Sequence, residues 1–293
     1  MSPGTAARTS IGAVVLTMND RPREFGLALE SLFAQEGVDL DVVVVGNGCV
    51  PEQVPEGVRT VSLPENLGIP EGRNVGARNV EGDFLIFFDN DAVLPDRDAL
   101  ARLAAHLHRD PRLAYVQPRI ADPDTHVTLR RWVPRLRASD PARPGVVTVM
   151  AEGVVLVRRS AFEQVGGWPG HFFLFHEGID LAWRLWDRGY TGLYTPDIIV
   201  HHPATDPARH DRFYELSARN RVWLARRNLP RLLIPANLAA WVLLTLWRVR
   251  DGHARRVAFA GFAQGFRGEP GVRAPMSWRT VLRLTRAGRP PVV

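Results

Sequence analysis

The chain has 293 residues, 45% of them hydrophobic and 23% charged, enough to bury one large core, which excludes a disordered or fibrous protein. A single cysteine, Cys49, excludes an intramolecular disulfide and a cysteine-rich zinc site, and it fits a reducing compartment. All 37 basic residues are arginine, which excludes lysine Schiff-base or lysine general-base chemistry; the bias reads as coding composition, so no nucleic-acid partner is expected despite the net charge of +6.

Residues Met1 to Ser10 lack the apolar core of a signal peptide, because the first apolar run, Ala13 to Leu16, is only strand-length. A cytoplasmic protein is expected. Ile11 to Thr17 reads as a β-strand, and Glu24 to Gln35 then places Phe25, Leu29, Leu32 and Phe33 at helical spacing. Leu40 to Val45 predicts a second strand, ended by Gly46-Asn47-Gly48, and Val58 to Leu63 a third. Gly72 to Val80 predicts a helix before the strand Asp83 to Phe88, and Asp98 to Arg109 an amphipathic helix before the strand Leu113 to Pro118. Strands alternating with helices imply a doubly wound, mostly parallel α/β sheet with helices on both faces. In such sheets ligands bind outside the carboxyl ends of the strands, so Thr17 to Arg21, Gly46 to Gly48 and Asp89 to Asp91 should line one crevice.

Ala121 to Pro144 is polar, proline-bearing and arginine-rich, a long loop of the kind that walls a substrate site. Val146 to Val157, with Glu152-Gly153 inside it, predicts one strand, and Ser160 to Val165 a short helix capped by Ser160. Glu177 to Arg188 predicts a helix, and Ile198 to Val200 a strand running into His201-His202. Leu232 to Trp247 is the most apolar segment, yet it is broken by Pro235 and Asn237 and is shorter than the ~20 residues of a bilayer span. It reads as a packed helix, with an interfacial helix as the rival because Arg248, Arg250, Arg255 and Arg256 follow. From Arg212 onward 16 arginines face only Glu215, Asp251 and Glu269, a balance that favours phosphates, acidic lipids or another anionic surface.

Two acidic clusters carry candidate chemistry. Asp89 and Asp91 flank Asn90 at the end of an apolar strand, and residues i and i+2 of a strand point the same way. Converging carboxylates suit Mg2+ or Mn2+, hard ions that keep positions open for phosphate oxygens; a solvated turn before Pro95 and Asp96 fits the same three residues. Glu177 and Asp180 share one face at a helix start, where acids also serve simple capping electrostatics. Around them lie Gly166-Gly167-Trp168, Phe172-Phe173-Leu174-Phe175-His176 and Trp183-Arg184. Aromatic packing raises a carboxyl pKa and shields it from water, which suits a general base.

From about Ile11 to about Asn228 the chain resembles the family 2 glycosyltransferases of GT-A fold. The resemblance rests on Thr17-Met18-Asn19-Asp20-Arg21, Asn66-Leu67-Gly68, Gly72-Arg73-Asn74-Val75-Gly76, Gly82-Asp83, Asp89-Asn90-Asp91, Gly166-Gly167-Trp168, Glu177 to Arg184, His201-His202 and Arg219-Asn220-Arg221, in that order. It implies that Asp89 and Asp91 form the Asp-x-Asp motif, with Asp91 the leading metal ligand and one of His201 and His202, His201 favoured, completing the site. It implies that Glu177 or Asp180 deprotonates the acceptor, Glu177 preferred, although Gly178 stands where the second acid of the usual pair would be. Thr17, Asn19, Asp20, Asn47, Arg73, Asn74 and Asp89 are the implied donor-binding residues. The loop Gly46-Asn47-Gly48-Cys49 lacks the acid that relatives use to read a uracil edge, so UDP is not implied.

The function so implied is inverting, metal-dependent transfer of a sugar from a nucleoside diphosphate donor to a hydroxyl of a glycan or lipid-linked acceptor, as in cell envelope polysaccharide synthesis. A catalytically silent nucleotide-sugar-binding module and a nucleotidyltransferase are the alternatives; the latter would want a basic glycine-rich loop near the N-terminus, and none is visible. The expected division is a glycosyltransferase domain at 1–228 and a basic, partly apolar helical extension at 229–293, with peripheral contact to the inner face of a membrane through 232–256.

Overall fold

The computed structural model describes residues 8–135, 140–151, 153–206, 208 and 212–292. The first half alternates as expected: β1 (Thr9–Thr17), α1 (Pro22–Phe33), β2 (Val38–Asn47), β3 (Arg59–Leu63), α2 (Ile69–Ala77), β4 (Phe84–Asp89), α3 (Ala99–Arg109) and β5 (Leu113–Ala121). Then come β6 (Gly145–Val147), β7 (Val154–Arg158), α4 (Arg159–Gln164), α5 (Glu177–Asp187) and β8 (Thr191–His201). Four helices close the chain: α6 (Phe213–Asn228), α7 (Ile234–Arg248), α8 (Gly252–Arg267) and α9 (Trp278–Arg286).

Among the described residues, eight strands form one sheet in the order β3-β2-β1-β4-β7-β5-β8-β6. β1 runs parallel to both β2 and β4, with Leu16 level with Val45 on one side and Asp89 on the other. That register brings the ends of β1, β2 and β4 to one edge. Alternation sends Val15, Val44, Ile86 and Phe88 to a layer with Phe25, Leu29, Leu103 and Leu107 of α1 and α3. The intervening Val14, Val43, Leu85 and Phe87 pack on the other face against Phe162, Trp168, Leu181 and Leu185. Strands buried on both faces read as unbroken apolar runs, which is why β1, β2 and β4 are legible. Each such side chain contributes ~1.5–3 kcal/mol by leaving water.

Three expectations need correction. Val146 to Val157 is two strands: β6 pairs antiparallel with β8, whereas β7 runs antiparallel between β4 and β5. The chain crosses between them, with Tyr115 Oη donating to Val147 O and within 3.4 Å of Val149 O; Glu152 lies outside the described residues. The last strand is β8, far longer than Ile198 to Val200. Its register with β5 slips where Pro118 meets Thr195 and Arg119 meets Ile199, so Pro196 is accommodated in an irregularity and the segment before it escaped notice. Ser160 lies inside the first turn of α4 and makes no capping bond.

The C-terminal helices share a core with the sheet domain's last helices. Trp183 and Trp186 of α5, Val222 and Trp223 of α6, Leu238 of α7, Phe262 of α8 and Leu284 of α9 belong to one buried cluster. Gly261 and Gly265 let α8 approach α6 closely, since a Cβ on Gly261 would stand 2.3 Å from Glu215 O.

Candidate active site

β4 delivers Asp89 to the carboxyl edge of the sheet, where its amide donates to Gly153 O at 3.0 Å. Four residues on, Val93 and His201 exchange backbone hydrogen bonds of 2.9 Å each, strapping the Asp89-Asn90-Asp91 turn to the end of β8. The next residue, His202, therefore faces the acids. Its Nε2 lies 3.1 Å from Asp91 Oδ1 and 3.4 Å from Asp89 Oδ2, and one ligand atom from each of the three residues lies within 4.8 Å of the others. His202 Nδ1 sits 2.9 Å from Pro203 O, an acceptor only, so Nδ1 donates there and Nε2 is the ring nitrogen that faces the two carboxylates. Two carboxylates and an imidazole lone pair form a donor set that fits a divalent cation.

His201, the residue favoured on sequence, lies outside this group. Its ring stands 6.0 Å from that of His126, and burial lowers its pKa below the ordinary histidine value. Asp91 is buried at 6% exposure and ion-paired to Arg21, a residue that carried no assigned role although it closes the Thr17 to Arg21 motif. Arg73 is buried in α2 and places Nη2 2.7 Å from Asp89 Oδ1. Burial alone would push the Asp89 carboxyl up, but His202 and Arg73 outweigh it and hold it below the usual carboxylate range.

Several polar residues expected to touch the donor are also engaged by the protein framework. Asn74 Oδ1 accepts from Trp168 N at 2.9 Å while its Nδ2 donates to Trp168 O at 3.0 Å, so both ends of its amide are engaged by framework. Asn47 binds Asn66 Oδ1 and Leu67 N, each at 2.9 Å, and Asn19 spans Val50 O and Glu52 N. Thr17 Oγ1 accepts from Asn19 N. These four residues shape the crevice. Asp20 is exposed at its rim, near Arg21.

The second acidic pair divides sharply. Asp180 is fully buried, accepts hydrogen bonds from Arg184 Nε (2.7 Å) and Asn228 Nδ2 (2.7 Å) and is ion-paired with Arg227 (3.0 Å), a network joining α5 to α6. It does not line the cavity. Glu177, the first residue of α5, is 2% exposed and lines the same cavity of about 610 Å³ as Asp89 and His202. Trp132, Phe175, Tyr214, Trp241 and Phe262 form much of the remaining wall, with Arg131, Arg221 and Arg248 among them. The sequence signal for this wall lay in aromatic residues scattered over α6, α7, α8 and two connecting segments, which no local spacing connects.

A family model described as "Glycosyl transferase family 2" matches residues 13–166, more than half of the chain. The chain belongs to that family. Over 61 residues it is 44% identical to the N-acetylglucosaminyl-diphospho-decaprenol L-rhamnosyltransferase of Mycobacterium tuberculosis, covering 19% of this chain and 20% of that protein. It is 27% identical over 179 residues to the O-antigen chain rhamnosyltransferase RfbN of Salmonella typhimurium, 55% of this chain and 56% of that one. It thus spans about a fifth and just over half of these relatives' lengths. In fold it is similar to the mannosyltransferase PcManGT from Pyrobaculum calidifontis in complex with GDP-Man and Mn2+, with a TM-score of 0.56 at 19% identity, covering 98% of this chain and 81% of that one. The single sheet flanked by helices is the GT-A arrangement of this and other solved glycosyltransferases.

Proposed function

We propose that this family 2 protein transfers a glycosyl group from a nucleoside diphosphate sugar to a hydroxyl acceptor, with inversion, using a divalent cation held by Asp89, Asp91 and His202. The observation that carries the reading is that Asp89 and His202 of this cluster and the buried acid Glu177 line one cavity. When bound, Mn2+ or Mg2+ supplies Lewis acidity to the departing diphosphate. Arg73 and Arg21 neutralise the two aspartates and restrain their carboxylates. The carboxylate of Glu177 takes the acceptor hydroxyl proton as the new C–O bond forms at the anomeric carbon and the sugar–phosphate bond breaks. Aromatic walls exclude water, which favours transfer to the acceptor over hydrolysis.

The cavity's apolar walls and the arginines at 131, 221 and 248 suit an acceptor that joins sugar, anionic and hydrocarbon parts, a lipid-linked glycan. The names of the two curated relatives, a diphospho-decaprenol-linked sugar transferase and an O-antigen transferase, support that class and a role in envelope polysaccharide. Among the described residues no helix is long and apolar enough to cross a membrane. Leu243 and Trp247 of α7 are 65% and 72% exposed beside Arg248 and Arg250, which supports peripheral contact through 232–256. The extension from 229 would then carry the acceptor side, and the domain before it the donor side. The test is a donor panel with Mn2+ and a prenyl-diphosphate-linked sugar: transfer by wild type and at least a hundredfold lower kcat for Glu177→Gln, with nucleotide binding retained, support it. Full activity of Glu177→Gln removes Glu177 as base.

A further inference from the structure

The segment that delivers Glu177 is strained. Phe173, Phe175 and His176 have φ of 67°, 73° and 70°, conformations that bulky non-glycine residues rarely adopt and that cost ~1–3 kcal/mol each. Something must over-determine them. Asn220 of α6 is fully buried, and its Nδ2 lies 3.0 Å from Phe172 O, 2.7 Å from Leu174 O and 2.8 Å from Phe175 O. Arg219 Nη2 adds a bond of 2.7 Å to Phe172 O, and Arg219 Nε donates to Asn220 Oδ1 at 3.0 Å, which fixes the amide with its NH2 toward the segment. The guanidinium itself rests 4.1 Å from the centre of the Trp223 ring.

We propose that Asn220, oriented by Arg219, is the positioning residue that aims the Glu177 carboxylate into the cavity by gathering the carbonyls of Phe172, Leu174 and Phe175. The inference rests on Glu177 as the base. Gathering three carbonyls on one amide nitrogen curls the chain, so that His176 reaches its left-handed conformation as the residue preceding α5 and Glu177 opens the helix. The same segment is tied to the donor side: Phe173 O accepts from Ile69 N at 2.8 Å, at the start of the helix that carries Arg73 to Asp89. Asn220 therefore sets the base relative to the metal-binding acids, although it touches neither and does not line the cavity.

The test is a double-mutant cycle on the full chain with Mn2+, donor and acceptor, using Asn220→Ala, Glu177→Gln and the pair. A misplacement of about 1 Å costs on the order of a hundredfold in rate, so Asn220→Ala should lower kcat by roughly 10- to 100-fold, with donor KM changed by less than about twofold. In the Glu177→Gln background the same change should lower kcat by less than about twofold, because residues acting through one group are not additive. Hydrogen exchange of the 168–180 peptide should rise in Asn220→Ala while the β1 and β4 peptides stay protected. If Asn220→Ala does not fold, Arg219→Lys in the same cycle, which removes the planar fork that binds Asn220 Oδ1 and Phe172 O together, should show the same non-additive pattern at smaller amplitude. Equal losses in both backgrounds, or an unchanged kcat, overturn the positioning role and leave the base intact. Full turnover by Glu177→Gln overturns both.

Discussion

Arg73 Nη2 stands 2.7 Å from Asp89 Oδ1, with the arginine 1% exposed and its guanidinium 5.3 Å from the centre of the Trp168 ring. One buried cation thus reaches from the second helix to the acid that ends the fourth strand. Replacing it by methionine keeps the stem but leaves Asp89 with His202 alone. Because Asp89 retains contact with solvent, the expected cost is modest, about 1–2 kcal/mol in urea unfolding. Mn2+ affinity should change in the same variant, since Asp89 loses the group that orients it. Unfolding and Mn2+ titrations indistinguishable from wild type would show that the pair holds nothing.

Asp180 sits in the opposite situation. Burial pushes its carboxyl up, but Arg184, Arg227 and Asn228 outweigh that and hold it below the usual carboxylate range. A lowered folded-state pKa contributes stability that is complete above the unfolded value of about 3.9 and is lost as pH falls through the folded value. The protein should therefore lose stability on acidification below about pH 4. Asp180→Asn should remove that part of the dependence while costing about 3–5 kcal/mol at neutral pH, because two arginines are left in a buried network without their counter-charge. Chemical denaturation across pH checks both arms.

His202, and not His201, is expected to bind metal. Electron paramagnetic resonance titration with Mn2+ should show affinity reduced by at least about tenfold in His202→Ala and Asp91→Asn, and unchanged in His201→Ala. Loss of binding in His201→Ala with retention in His202→Ala would reverse the assignment. Mn2+ removal by chelation should abolish transfer in wild type.

What the sequence displayed of this protein follows from what local patterns can express. β1, β2 and β4 were legible because both of their faces are covered, and the Asp89-Asn90-Asp91 turn was legible because acids ending such a strand stand out. The phase of His201-His202 was not, since it depends on the backbone bridge from Val93 to His201, a contact across more than a hundred residues. For Asn47 and Asn74, polarity in a crevice motif does not disclose that the amides also bind Leu67 N and the Trp168 backbone. The sequence favours Glu177 over Asp180, three residues on in the same helix, but keeps both as candidates. Only packing against Arg227 and Asn228 of α6 separates them.

Gly68 explains part of the Asn66-Leu67-Gly68 motif. Its φ is 84°, and a Cβ there would lie 2.4 Å from Phe173 O and 2.5 Å from Phe173 Cα. Backbone, not a movable side chain, fills the space. Gly68→Ala should therefore destabilise by about 1–3 kcal/mol and lower kcat, because the displaced segment precedes Glu177. The readouts are thermal unfolding and steady-state kinetics; a wild-type Tm with wild-type kcat would show that the segment yields freely.

The exposed face of α7 yields the last expectation. Trp247 and Leu243 stand in solvent, arginines 248 and 250 follow within three residues of Trp247, and the same helix contributes Trp241 and Leu244 to the cavity wall. An apolar face flanked by cations binds at the headgroup boundary of anionic lipid, by buried area plus charge, and salt weakens the second part. Wild type should co-sediment with phosphatidylglycerol vesicles at low salt and less so at high salt. Leu243→Glu combined with Trp247→Glu should reduce binding by at least about tenfold and slow transfer to a vesicle-borne acceptor. Transfer to a short-chain, water-soluble acceptor should stay near wild type, because neither side chain lines the cavity. Equal losses on both acceptors would place the defect inside the cavity, and the absence of wild-type co-sedimentation would remove the membrane from the account.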